Sequence, residues 1–359
     1  MMKNVLATVL VPVMCLGLLA GCGKGGINYK GEVKEGFIYE TTGISPDAVM
    51  MTVNGVDVTA EEFFYWVGYG CSELSYYNGG IDWSADVNGA TMDDYIKSEA
   101  ARTAALYAVI KHLADETGVE LSEEDAAASS ANIAESAEYY GGLDVYEAQM
   151  ESQGVSLALM EELDAAVYLY GGLQEVYLDE GSKIHPSEDA LNDYAAMVGA
   201  YTVKHVLFDI RECSEEEAAE KLAKAEEIVS ALDNRGEADL VTLFDGFISE
   251  CGEDPGMTTN PNGYTFKDSD DESLVPGFAD ACKALGENEY SDVLVTDYGY
   301  HVILRLPLDV ESLVAEYFDV FVQEALATAD IQYSDAFTSA SAQTYYEALI
   351  AVMEAQLAE

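Results

Sequence analysis

The chain has 359 residues with 67 acidic against 16 basic side chains, a formal charge of −51, 49% hydrophobic residues and 24 tyrosines. At this length and apolar content two or more folded domains are expected, which excludes a disordered acidic chain. The charge excludes a nucleic-acid partner, because such binding relies on cations that displace phosphate counterions, and it disfavours electrostatic docking on anionic lipid.

Lys3 is the only charge ahead of an apolar run from Val5 to Ala20, too short for a comfortable membrane span and of the length of a secretory leader. The run ends in Leu19-Ala20-Gly21-Cys22. Small residues directly before a cysteine resemble a lipobox, which implies cleavage after residue 21 and lipidation of Cys22. Two or more acyl chains would then hold the mature chain on the membrane. An ordinary leader followed by a chance cysteine is the other reading. Losing Lys3 takes the charge from −51 to −52. Residues 22–47 are Gly-rich and lack periodicity, so they read as a flexible tether.

Next comes a hairpin, Val49 to Val58, about an Asn54-Gly55 turn. Thr59-Ala-Glu-Glu62 reads as a capping box opening an aromatic helix through Phe63, Phe64, Tyr65 and Trp66. A helix from Thr91 to Thr117 is capped by Thr91 and stopped by Gly118. Further helices are predicted near Ser122, near Asp144 and from Val155 to Leu178. His185-Pro186-Ser187 marks a boundary, since the residue before proline avoids the α region, and a helix from Ser187 to Val198 follows. Ser214-Glu-Glu-Glu217 is a second capping box, with Ala218, Leu222, Ala225, Val229 and Leu232 on the buried face of its helix. After Pro307 the pattern is helical to Glu359.

Four histidines are present, and two sit inside apolar strands: Val203-Lys-His205-Val-Leu-Phe208, and Val295-Thr-Asp-Tyr-Gly-Tyr-His301-Val-Ile-Leu-Arg305. Alternation puts Val203, His205 and Leu207 on one face, and His301, Ile303 and Arg305 on one face. Taken singly, each is an ordinary core histidine. Between them lie Ser249-Glu-Cys-Gly-Glu-Asp254-Pro-Gly and Leu274-Val-Pro-Gly-Phe278-Ala-Asp-Ala-Cys282. This order of motifs over residues 199–307 resembles the parvulin family of peptidyl-prolyl cis/trans isomerases. The hairpin and helices before it are similar, in pattern alone, to the chaperone region of SurA and PrsA foldases.

The resemblance implies an α+β fold: a parvulin domain, a small antiparallel sheet with surrounding helices, inserted into a mostly helical chaperone domain. The segments are then 1–21 leader, 22–47 tether, 48–198 helical chaperone region, 199–307 isomerase, and 308–359 helices returning to the chaperone domain. It also implies a polar cluster of His205, Asp254, Thr296 and His301 beneath the twisting amide, with Asp254 facing that amide. Leu274 and Phe278, four apart on one helical face, and Phe266 would wall the proline pocket. Two departures are visible. Asn262-Gly-Tyr-Thr-Phe266 stands where the family commonly has Gly-Asp-Leu-Gly before an aromatic, and Lys267-Asp-Ser-Asp-Asp-Glu-Ser273 is an acidic insert. The insert reads either as a solvated loop or as a rim favouring basic residues before proline. A small slip of alignment would put Cys251 at the amide in place of Asp254.

Cys71, Cys213, Cys251 and Cys282 remain for the mature fold, allow three pairings, and have no metal-like spacing with one another or with the histidines. No metal and no cofactor are expected. The expected activity is isomerisation of X-Pro bonds in unfolded or partly folded secreted polypeptides by a lipid-anchored extracytoplasmic foldase, with a homodimer allowed by the sequence. A holdase with a silent isomerase site is the alternative, and a solute-binding lipoprotein the third reading.

Overall fold

The computed structural model describes residues 35–357; the leader and Cys22 lie outside them. In chain order the elements are α1 (Phe37–Thr42), β1 (Val49–Val53), β2 (Val56–Thr59), α2 (Ala60–Asn78), β3 (Asp86–Val87), β4 (Ala90–Thr91), α3 (Met92–Thr117), α4 (Glu123–Tyr139), α5 (Leu143–Ser152) and α6 (Leu157–Leu178). Then follow α7 (Glu188–Val198), β5 (Tyr201–Asp209), α8 (Glu215–Asp233), α9 (Leu240–Cys251), α10 (Pro255–Thr259), β6 (Tyr264–Phe266), a 3-10 turn (Asp268–Ser273), α11 (Phe278–Ala284), β7 (Leu294–Val295) and β8 (Gly299–Leu306). The last are a 3-10 turn (Val310–Leu313), α12 (Val314–Ala327), β9 (Ile331–Tyr333), α13 (Asp335–Ser339) and α14 (Ala342–Leu357). Helices with small antiparallel sheets make this an α+β fold.

Local chemistry sets most boundaries. Asn54 and Gly55 both take positive φ, 50° and 86°, as a two-residue type I′ hairpin requires. Thr91, Ser122, Ser187 and Ser214 each accept a hydrogen bond from a backbone amide three residues on, satisfying a helix's free donors. Ser214 and Glu217 complete a reciprocal capping box. At α2 only half of the expected box forms: Thr59 accepts from the Glu62 amide, but the Glu62 side chain is buried, 4% exposed, and lies 4.0 Å from the Lys111 ammonium.

Contacts divide the described chain into two units, 35–185 with 318–357, and 186–317. The first, divided unit has a three-stranded sheet in the order β2-β1-β9, with Met51 opposite Tyr333. Its core joins Phe63, Phe64 and Tyr107 to Tyr345 of α14, and Phe64 stacks on Tyr345 at 4.7 Å. Such an aromatic pair adds about 0.5–1.5 kcal/mol beyond the area it buries. Two expectations need correction here. The tether does not reach residue 47, because α1 buries Ile38 in this core and sets Phe37 edge-on to Tyr345. The C-terminal segment is not wholly helical, because β9 supplies the third strand.

The second, continuous unit takes in α7 and the chain to Tyr317, so its bounds are wider than 199–307. Its sheet is antiparallel in the order β6-β5-β8-β7. One face carries Val206 and Phe208 of β5 against Ala225, Ile228 and Leu232 of α8 and Phe244 of α9. The opposite face packs Tyr201, Val203 and Ile303 against Phe278 and Cys282 of α11. Cys71, Cys213, Cys251 and Cys282 are all free thiols, so none of the three possible pairings forms among the described residues.

Candidate active site

β5 and β8 run antiparallel with Leu207 opposite His301 and His205 opposite Ile303. Opposed residues share a face, so the two histidines are diagonal neighbours on the face that α11 covers. Gly299 makes that register possible: its φ is 152°, and a Cβ there would lie 1.9 Å from the Phe208 carbonyl oxygen. The glycine of the Gly-Tyr-His run therefore lets β8 start against β5, two residues before the imidazole.

The side chains form one hydrogen-bonded row. The Asp254 Oδ2 lies 2.7 Å from His205 Nε2; the two Nδ1 atoms of His205 and His301 are 3.1 Å apart; His301 Nε2 is 2.8 Å from the Thr296 hydroxyl. The ring planes differ by only 13°. With Asp254 the acceptor at the end of the row, one proton order that satisfies every pair has Thr296 donating to His301, His301 to His205, and His205 to Asp254. The order is assigned from the network itself. Thr296 lies in the turn between β7 and β8 and not in a strand, and its oxygen accepts from the Tyr298 amide at 3.2 Å. Asp254 is brought to His205 by its own backbone: the Glu253 amide donates to the Leu207 carbonyl at 2.9 Å, fixing the segment at the end of β5. Asp254 then caps α10, with Pro255 at the first helical position.

Electrostatics follow from these partners. The hydrogen bond from His205, then those from the Gly256 amide and the Tyr264 hydroxyl, hold Asp254 down at about 2, so it is a carboxylate at neutral pH. Burial, then the neighbouring His205, push His301 down to about 4, leaving it a neutral imidazole. Burial and the bond to Asp254 push the Tyr264 phenol up to about 12, so it stays a donor.

Phe278 meets both imidazoles edge-on with centroids 5.3 Å away, and Phe266 stands perpendicular to it at 6.5 Å. Leu274 packs in the same cluster. Leu274 and Phe278 do not share a helical face, however: Leu274 ends the 3-10 turn, and Phe278 opens α11 after Gly277. The acidic insert is not a free loop. It is that 3-10 turn, and Asp268 and Asp271 both grip Lys283 of α11, Asp268 at 2.6 Å. Cys251 gives its thiol to the Phe247 carbonyl at 3.2 Å within α9, so Asp254 and not Cys251 stands at the histidines.

The structure thus gathers His205, Asp254, Thr296 and His301 into one row, with Phe266, Leu274 and Phe278 beside it. It adds one residue the sequence reading missed. Tyr264 donates to Asp254 Oδ2 at 2.8 Å and stands in the very Asn-Gly-Tyr-Thr-Phe segment noted only as a departure. Its hydroxyl, ten residues from an aspartate next to a proline, was the available signal.

Sheet, helices and polar row together define a parvulin-type isomerase domain, and residues 191–305 match the family model for the PPIC-type PPIASE domain. This segment is accordingly a peptidyl-prolyl isomerase domain of the parvulin type. Among solved structures the chain is similar to PrsA from Bacillus subtilis, at 18% identity over 86% of this chain and 93% of that one, TM-score 0.25. It is also similar to the peptidylprolyl isomerase PrsA from Bacillus anthracis, at 14% identity over 69% and 94%, TM-score 0.24. The foldase protein PrsA from Streptococcus pneumoniae matches at 14% identity over 76% and 93%, TM-score 0.22. No curated protein matches the chain.

Proposed function

We propose that the protein is a foldase that isomerises X-Pro bonds in partly folded secreted polypeptides, tethered to the outer face of the membrane through lipid on Cys22. The observation that carries the enzymatic part is the row Asp254–His205–His301–Thr296 with Phe278 set against both rings. Rotation about an X-Pro bond faces a barrier of about 18–20 kcal/mol because it breaks amide resonance. It needs no nucleophile. A site lowers the barrier by binding the twisted amide better than the planar forms and by keeping water from the carbonyl. Apolar walls at Phe266, Leu274 and Phe278 suit the proline ring, and the hydrogen-bonded imidazole pair suits a fixed floor for the amide.

A client-holding role finds support in the divided unit. Helices α4, α5 and α6 line a groove of about 820 Å³, with Ala134, Leu143 and Leu157 and also Glu135, Glu138 and Glu161 among its lining residues. No lysine or arginine occurs between His112 and Ser182, so the whole three-helix stretch carries one sign of charge. Apolar client segments with basic flanks match that surface.

The test is isomerisation of peptides carrying Ala-Pro, Glu-Pro and Lys-Pro, with Asp254→Ala as control. The wild type should accelerate at least one of them, and the variant should lose about tenfold or more in kcat/KM. Inactivity on all three removes the enzymatic claim; suppression of client aggregation that survives Asp254→Ala would then leave a holdase. For the anchor, Cys22→Ser should release the protein into the medium.

A further inference from the structure

We infer that Tyr264 is a positioning residue of the isomerase site, and that the bare Cα of Gly256 is what admits its hydroxyl to Asp254. The inference rests on the isomerase reading above. Asp254 offers two oxygens: Oδ1 accepts from the Gly256 amide at 2.9 Å, and Oδ2 accepts from both His205 Nε2 and the Tyr264 hydroxyl. Two donors on one oxygen and a third on the other prevent the carboxylate from turning. The tautomer of His205 depends on that fixed acceptor, and through Nδ1 it sets the proton order of His301 and Thr296.

The room for the phenol is specific. A Cβ placed on Gly256 would lie 1.8 Å from the Tyr264 hydroxyl oxygen and 3.0 Å from the ring carbon that bears it. Neither backbone can withdraw easily. Gly256 is held by its amide on Asp254 and its carbonyl under the Asn260 amide at 2.9 Å, while Tyr264 is paired with Val203 in the sheet. An alanine at 256 therefore turns the phenol away and leaves Asp254 with one donor fewer.

Other charged groups near Asp254 are already committed. From β5, Asp209 is held by Arg211; beside Asp254, Glu253 is held by Lys221 of α8; from β8, His301 is reached through His205. Removing the phenol changes Asp254 without rearranging these pairs.

The experiment uses the full chain and three variants, Tyr264→Phe, Gly256→Ala and the double. Turnover of an Ala-Pro peptide is followed against pH, and the His205 ring nitrogens are followed by NMR. Tyr264→Phe should lower kcat about fivefold with KM nearly unchanged. The acid limb of kcat/KM should move up by about one pH unit, with the His205 nitrogen resonances losing their single-tautomer pattern. Gly256→Ala, with Tyr264 intact, should reproduce these changes, and the double variant should be no worse than either single. A Tyr264→Phe protein with the wild-type acid limb and His205 tautomer overturns the inference, as do additive losses in the double. Should Gly256→Ala fail to fold, Tyr264→Phe decides alone. Should the wild type prove inactive, the isomerase reading fails, while the nitrogen resonances still show whether the phenol fixes the row.

Discussion

Asp254 in the continuous unit and Glu62 in the divided unit are both carboxylates drawn in from solvent, and their surroundings push them in opposite directions. Asp254 is met by three donors, led by His205, and is held down at about 2. Glu62 is 4% exposed, and its Oε1 has no hydrogen-bond partner among the described residues. The nearest cation, Lys111, is 4.0 Å from its other oxygen and gives its close contact, 2.6 Å, to Glu162 instead. Burial therefore dominates and pushes Glu62 up to about 7. The difference teaches that donors prevail at the partly open Asp254, while at the deeper Glu62 burial outweighs the cation nearby.

The consequence for stability has opposite signs in the two units. Glu62 has a folded value of about 7 against an ordinary 4.5, so its contribution is fully present below 4.5 and is lost as pH rises through about 7. Asp254 has a folded value of about 2 against 3.8, so its contribution is present above 3.8 and is lost as pH falls through about 2. Both tryptophans, Trp66 and Trp83, belong to the divided unit, so their fluorescence reports on that unit alone. The largest effect is expected from Glu62→Gln, which keeps the shape and removes the charge. Relative to this variant, the wild-type divided unit should lose on the order of 3 kcal/mol between pH 5 and pH 8. A difference between the two that stays flat over that range would break the comparison.

Asp254→Asn should act the other way and more weakly, because the group is partly open to solvent. It should cost the continuous unit about 1 kcal/mol above pH 4 and nothing near pH 2, read by hydrogen exchange of the β5 amides. Lys283→Met sharpens the contrast from a third side. One of its two acidic partners, Asp268, is largely solvated and the other, Asp271, is half-buried, so Tm should fall by less than about 3 °C with both pH dependences unchanged. A larger fall would mean that the 3-10 turn supports α11 and Phe278 more strongly than an exposed ion pair does.

Much of this was legible in the sequence where cause and effect are local. Thr91, Ser122, Ser187 and Ser214 cap the helices they stand before, and Asn54-Gly55 turns its hairpin, because each acts within three or four residues. His205 and His301 stood out because imidazoles are unusual in apolar strands. What was missed depends on distant partners. β9 is three residues long and is a strand only because β1, about 280 residues earlier, pairs with it. α1 looked like tether because Gly-rich flanks hide Phe37 and Ile38, whose partners lie on α14 and in the core. Glu62 fitted a capping box by spacing, yet tertiary packing turned its side chain inward. Tyr264 escaped because its role needs a missing Cβ on another element.

The division of the helical unit also sets an order in time. Residues 186–317 hold all four strands of the isomerase sheet and are complete before Phe318 is made. β1, by contrast, waits for Ile331–Tyr333, and Phe64 waits for Tyr345. For a chain made from its N-terminus, the first and longer stretch of the helical unit stays open at its sheet edge and aromatic core until the last tenth of the sequence arrives. The isomerase can thus be folded while the unit that surrounds it in sequence is still unfinished.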